Sequence, residues 1–146
     1  EVYHRPQHIL AAELFSEPPI NILPGQISGT EVSFADTVHF PLNPDLQQLE
    51  PGEYRFGMRP SHIGLVPSND DDLELAVTVD LAEISGSETF LHVRGEQFSL
   101  VLHLPGVHEY DVDTPILIYI PTHKLFVFDV QGQLKQAPAR RTGRAA

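Results

Sequence analysis

Leu73, Leu75, Val77, Val79 and Leu81 form an unbroken alternation of apolar side chains with polar or small residues between them. Successive side chains of a strand point to opposite faces, so this pattern predicts a strand with one buried face and one open face. The odd register carries on to Glu83 and points that carboxylate toward the apolar side, unless the turn begins earlier. A carboxylate there must pair or protonate, and Arg59 and Arg94 are its candidate partners. The two outcomes are a polar pocket for a small signalling ligand and a paired structural carboxylate at a strand end.

The same signal recurs on both sides. Glu53 to Arg59 places Tyr54, Phe56 and Met58 on one face, and Pro60 ends it. Phe98, Leu100, Leu102 and Leu104 alternate, as do Ile116, Ile118 and Ile120, and Leu125 to Val130 closes the series. Further short strands are expected at Ile20–Leu23, capped by Pro24-Gly25, at Gln26–Phe34 around Gly29, at Thr37–Leu42, at His62–Val66 and at Glu88–Arg94. Turn residues separate these segments, among them Ser68-Asn69-Asp70-Asp71-Asp72, Ser85-Gly86-Ser87 and Gly95-Glu96. Strands at roughly eight-to-twelve-residue spacing predict an all-β barrel or sandwich. Two halves should meet near residues 60–72.

Helical signal is confined to the start. Tyr3 to Phe15 can form one short helix, with Pro6 in its first turn and Ser16-Glu17-Pro18-Pro19 stopping it. The expected division is therefore a linker helix over 1–16, a β-domain over 17–134 and a flexible basic tail over 135–146. The chain begins at Glu1 rather than Met and is expected to be a piece of something longer. No apolar run approaches the roughly 20 residues needed to span a bilayer.

Charge and composition narrow the function. With no cysteine, disulfides, thiolate metal sites and cysteine nucleophiles are excluded. The formal net charge is −11, yet Lys135, Arg140, Arg141 and Arg144 all lie near the end. Residues 1–134 thus hold twenty acidic residues against five basic ones, a balance of −15. Such a body repels a phosphate backbone, which argues against nucleic acid as a partner. His4 and His8 have the i, i+4 spacing of two imidazoles on one helix face. A metal there would need Glu1 or Glu13 as well, and no metal is expected. Asp70-Asp71-Asp72 lacks the alternate spacing, central glycine and distal glutamate of a calcium loop. There is no Gly-x-Ser-x-Gly elbow, and no catalytic residue is assigned.

Four stretches taken in order carry a family resemblance. Tyr3-His4-Arg5-Pro6 leads through a short helix to Ser16-Glu17-Pro18-Pro19-Ile20-Asn21-Ile22-Leu23-Pro24-Gly25. Gly57-Met58-Arg59-Pro60-Ser61-His62-Ile63 follows, then Glu83-Ile84-Ser85-Gly86-Ser87-Glu88-Thr89, and last His123-Lys124-Leu125-Phe126-Val127-Phe128-Asp129. Together they resemble the end of the nucleotide-binding domain and the C-terminal regulatory domain of maltose- and glycerol-3-phosphate-type ABC importer ATPases. Ser61 stands where that family usually has glutamate, and Lys124-Leu125 lengthens the last motif.

The resemblance implies a transport-associated OB-like domain of two small β units, with Gly57, Arg59, Pro60, His62, Glu83, Gly86, Glu88, His123 and Asp129 at structural or regulatory motif positions. It implies a regulatory and dimerisation role, with a second copy, membrane permease subunits and a regulatory protein or small ligand as partners, on the cytoplasmic side of the membrane. ATP and Mg would belong to an ATPase domain outside this chain. The required Gly-x-x-x-x-Gly-Lys-Ser/Thr loop is absent, and the only lysines are Lys124 and Lys135. Neither ATP nor any other cofactor is expected here. One alternative is an oxyanion-binding module of the same fold, using Ser85, Ser87, Thr89 or Lys124. Another is a single-strand nucleic-acid OB domain, which needs a basic groove with exposed aromatics.

Overall fold

The computed structural model describes residues 19–34, 38–42 and 44–138. The expected N-terminal helix, the His4–His8 pair and Arg140, Arg141 and Arg144 lie outside those residues. Ten strands make up the rest: β1 (Asn21–Ile27), β2 (Glu31–Phe34), β3 (Val38–Pro41), β4 (Gly52–Met58), β5 (Leu73–Ser85), β6 (Glu88–Gly95), β7 (Phe98–Pro105), β8 (Pro115–Ile120), β9 (Phe126–Phe128) and β10 (Leu134–Gln136). They form two curled antiparallel sheets packed together, an all-β, OB-like arrangement.

The first sheet has the order β10-β9-β4-β1-β2-β3 and the second β7-β6-β5-β8. The chain passes from the first sheet to the second through residues 59–72 and returns through residues 121–125. Each passage contains a single 3₁₀ turn, Pro60–His62 and Thr122–Lys124. One apolar core joins both sheets. Val32, Phe34, Phe56 and Met58 from the first meet Val77, Val79, Leu91, Leu102 and Ile118 from the second. Phe34 anchors it, with its ring centroid 5.0 Å from Phe56 and 5.2 Å from Phe40. Truncating such a ring to alanine typically costs about 3–5 kcal/mol, a large share of a small domain's stability.

Several local expectations need correction. Pro24-Gly25 does not cap β1, which runs straight through to Ile27. Pro24 lies within the strand, opposite Arg55 of β4. Gly25 must be glycine, because a Cβ there would lie 2.3 Å from the Ser33 carbonyl oxygen. The strand expected over Gln26–Phe34 is really the β1–β2 hairpin, closed by the Ser28 N–H donating to the Glu31 carbonyl at 2.9 Å. The expected strand over His62–Val66 is the end of a 3₁₀ turn followed by a lone bridge, Gly64 to Tyr119. Residues 134–136, placed at the tail boundary by sequence, form β10 against β9.

The largest correction concerns β5. Thr78 pairs with Arg94 and Val79 with Val93, but Leu81 is the residue opposite His92, so Asp80 is an extra residue. This β-bulge reverses the facing of everything beyond it. Val79 is fully buried while Leu81 is 47% exposed. Glu83 consequently points to solvent, and Ala82 packs against the core instead. The bulge is pinned from the side. Arg94 pairs with Asp80 and reaches Asp113 at 2.9 Å, and the Asp113 N–H donates to the Val79 carbonyl at 2.7 Å.

Candidate functional site

Two of the sequence motifs meet at one end of the β4–β9 ladder. Arg55 opposes Phe128, Phe56 opposes Val127 and Gly57 opposes Phe126. Beyond Gly57 and ahead of Phe126 the chain turns through Pro60–His62 and Thr122–Lys124. Gly57 is buried, and Ile20, Phe128 and Ile22 crowd the place a Cβ would take, the nearest atom at 3.0 Å. Pro60 starts the 3₁₀ turn with a preset φ, and the His62 N–H donates back to the Arg59 carbonyl at 2.9 Å.

Arg59 is only 6% exposed, and its guanidinium lies over the Phe126 ring, 5.1 Å from the centroid. A desolvated cation over an aromatic face is favourable by up to about 2 kcal/mol. His62 is half-buried and its Nδ1 is buried without a hydrogen-bond partner. Burial pushes this imidazole down to about 4, and the charges of Lys124, Arg59 and His123 push it the same way. Arg59, His62, His123, Lys124 and Phe126 thus form a compact node. In the sequence Lys124 stands as an irregularity in the last motif and a candidate oxyanion donor, and Phe126 has no assigned role; the β4–β9 pairing brings Phe126 to the Arg-Pro-x-His stretch.

Asp129 lies at the opposite end of β9. Its Oδ1 accepts the N–H groups of Gln131 and Gln133, each at 2.9 Å, and Lys135 lies 3.9 Å from its Oδ2. The hydrogen bond from Gln133 leads in holding its carboxyl below the usual range. Asp129 thus shapes the turn into β10 and takes no part in the node.

Glu83, Gly86 and Glu88 gather on the β5–β6 hairpin. Gly86 adopts φ +62 at the first position of the two-residue turn, a conformation that favours glycine. Glu83 contacts the His92 Nε2 at 2.8 Å, so its partner is neither Arg59 nor Arg94. Glu88 pairs with His103, whose ring stacks on Phe90 at 4.7 Å. All these residues sit on the outer face of the second sheet.

Thr89, considered as an oxyanion donor, is fully buried. Its hydroxyl donates to the Gly106 carbonyl and accepts the His108 N–H, both at 2.9 Å. Ser85, Ser87 and Thr89 belong to the hairpin and Lys124 to the returning passage, so they make no single donor set. Phe34, Phe40, Phe56, Phe126 and Phe128 are all buried and present no stacking platform.

Among the described residues, two clefts stand out. One of about 500 Å³ has Phe40, Leu42 and Leu73 as its floor and Asp70, Asp71, Asp72 and Glu74 on its wall. The other, about 400 Å³, lies between the start of β1 and the outer face, lined by Ile20, Ile22, Glu83, Phe90, His92 and Val101. Beside it Asn21 ties the sheets together: its amide nitrogen donates to the Val101 carbonyl at 2.9 Å and its oxygen accepts the Val101 N–H at 3.0 Å. β7 is an edge strand, and this side chain satisfies its open backbone as a neighbouring strand would. Sequence reading quoted Asn21 within a motif without a role, since its partner lies 80 residues away. Among the described residues no group of three or more His, Asp or Glu is placed to hold a metal ion.

No family model matches the chain. It is 27% identical over 131 residues to the sn-glycerol-3-phosphate import ATP-binding protein UgpC of Escherichia coli O1:K1 / APEC. That match covers 88% of this chain and 36% of the relative. The protein of the same name from Paraburkholderia xenovorans (strain LB400) is 27% identical over 136 residues, covering 88% and 37%. The one from Escherichia coli (strain K12) is 26% identical over 131 residues. The chain spans little more than a third of the length of the curated relatives it matches. The resemblance read from the motifs is therefore borne out: along 88% of its length this chain is similar to part of the sn-glycerol-3-phosphate import ATP-binding proteins.

Proposed function

We propose that this chain is the non-catalytic regulatory and dimerisation domain of an ABC importer ATPase subunit that energises uptake of a sugar or sugar-phosphate-like solute. The observation that carries it is the match along 88% of an all-β chain to a minor share of ATP-binding proteins. The sequence holds no phosphate-binding loop, and neither lysine follows a glycine-rich run. ATP and Mg then belong to an ATPase domain elsewhere in the parent subunit, which also contacts the membrane permease subunits. The domain works on the cytoplasmic side, peripheral to the membrane; among the described residues no helix is long and apolar enough to cross one.

Dimerisation requires a self-complementary face. The outer face of the second sheet suits it, with Leu81 and Leu117 each 47% exposed among the His92–Glu83, His103–Glu88 and Arg94–Asp80 pairs. A mixed surface of this kind fits two copies that shift against each other during an ATPase cycle. The net charge of −11 opposes pairing most at low salt, where screening is weakest. Sedimentation velocity should show a weak dimer that strengthens in moderate salt and disappears in Leu81→Glu/Leu117→Glu. A strictly monomeric chain at high concentration and moderate salt removes the dimerisation role.

A further inference from the structure

We propose that the cleft between the start of β1 and the outer face of the second sheet binds a small organic cation, an ammonium or guanidinium group carried on an apolar body. Glu83 meets the charge, Phe90 offers its ring, and Ile20, Ile22 and Val101 hold the apolar part. Such binding goes beyond the regulatory reading and stands on the geometry of the cleft within one chain.

Both walls are held in place. Asn21 clamps the start of β1 to the edge of β7 through both backbone groups of Val101, at 2.9 and 3.0 Å. Ile20 is 4% exposed and clusters with Phe126 and Phe128, which anchors its wall. The cleft holds about 400 Å³, within the range of small-molecule sites, which are mostly apolar with a few placed polar groups. Glu83 reaches it because the bulge at Asp80 turns the end of β5 over and puts this carboxylate on the outer face. In the ladders Phe90 lies between Glu83 of β5 and His103 of β7. Its ring stacks on His103, with 4.7 Å between centroids and 9° between planes, so the other ring face turns toward Glu83.

These features select a cation. The His92 imidazole meets one Glu83 oxygen at 2.8 Å, but a neutral imidazole brings no charge, and a carboxylate can accept about four hydrogen bonds. Glu83 therefore keeps its negative charge and further acceptor capacity, and its side chain is 58% exposed. Among the described residues lining the cleft there is no lysine or arginine. A cation set between Glu83 and Phe90 is drawn by the carboxylate and by the negative face of the ring. Its apolar body displaces water from the isoleucine and valine side chains. The net charge of −11 also enriches cations near the surface and depletes anions. An anion would meet the Glu83 carboxylate head-on, and a neutral molecule would gain from the apolar wall alone.

The test is titration of the purified chain at pH 8, where free imidazoles are neutral, with three probes of one shape: benzylamine, benzyl alcohol and benzoate. The NMR shifts of the Ile20, Ile22 and Val101 methyls report occupancy. We expect saturable benzylamine shifts with a Kd on the order of millimolar, benzyl alcohol about three- to fivefold weaker and benzoate weaker still. Glu83→Gln should weaken benzylamine by about three- to fivefold and leave benzyl alcohol unchanged. Ile22→Ala should weaken both probes together. Glu53→Gln, on the first sheet, should bind as the parent does. No saturable benzylamine shift overturns the proposal without any variant. So does benzyl alcohol or benzoate binding as tightly as benzylamine, or equal weakening of both neutral and cationic probes by Glu83→Gln. Ile22 shifts that follow protein concentration instead of benzylamine would make a second copy the occupant and overturn it too. Cross-relaxation between residues 1–18 and the Ile22 methyls would make the chain's own start the occupant, with the same consequence. Sedimentation of the same samples reports association separately, so a failure of binding leaves the dimerisation role untouched.

Discussion

His62 couples the node to pH. Its folded pKa of about 4 lies below the ordinary 6.5, so between these values the unfolded chain binds more protons than the folded one. Stability from this group is fully present above about pH 6.5 and is lost as pH falls toward 4. Solvent reaches part of the ring, which reduces the contribution to about 2 kcal/mol or less. Denaturation midpoints measured at pH 7 and pH 4.5 should fall less in His62→Gln than in the parent. An equal fall in both would show that His62 is not the titrating group. At this scale the sequence yields residue types but not neighbours. Arg59 and His62 stand out in a short motif, while Phe126 joins them only through strand pairing between segments far apart in the chain.

Strand β5 shows where a period can be read and where it fails. Leu75, Val77 and Val79 face the core as their alternation requires. Nothing in the letters marks Asp80 as an inserted residue, because Leu81 looks like the next step of the same pattern. The bulge is set by Val93 and His92 across the ladder and by Asp113 and Arg94 beside it. Val77→Asp should therefore prevent folding or cost several kcal/mol, since it buries an unpaired charge. Leu81→Asp should cost less than about 1 kcal/mol. Chemical denaturation of the two variants decides the matter, and equal losses would mean that the strand runs without a bulge. Pro24-Gly25 misleads for a related reason. Both residues usually stop a strand, but here Pro24 pairs with Arg55 inside β1, and Ser33 comes too close to Gly25 for a side chain. The strongly periodic strands β4, β5, β7 and β8 were legible. β10 was not, because Leu134–Gln136 carries no period and is held by β9 alone.

For the whole molecule, the all-β class and the family resemblance were both readable in sequence, because each depends on patterns spread along the chain. The joining of the sheets was not. It depends on one asparagine at β7's edge, on the Gly64–Tyr119 bridge and on a return passage that places β9 beside β4. The central claim is that this domain governs an ATPase without performing hydrolysis. The most direct measurement is ATP turnover by the parent subunit with this chain intact and with it deleted, beside turnover by the isolated chain. The isolated chain should hydrolyse nothing above background. The deleted subunit should still hydrolyse ATP while losing stable self-association. Turnover by the isolated chain, or loss of nucleotide binding on its deletion, would contradict the account.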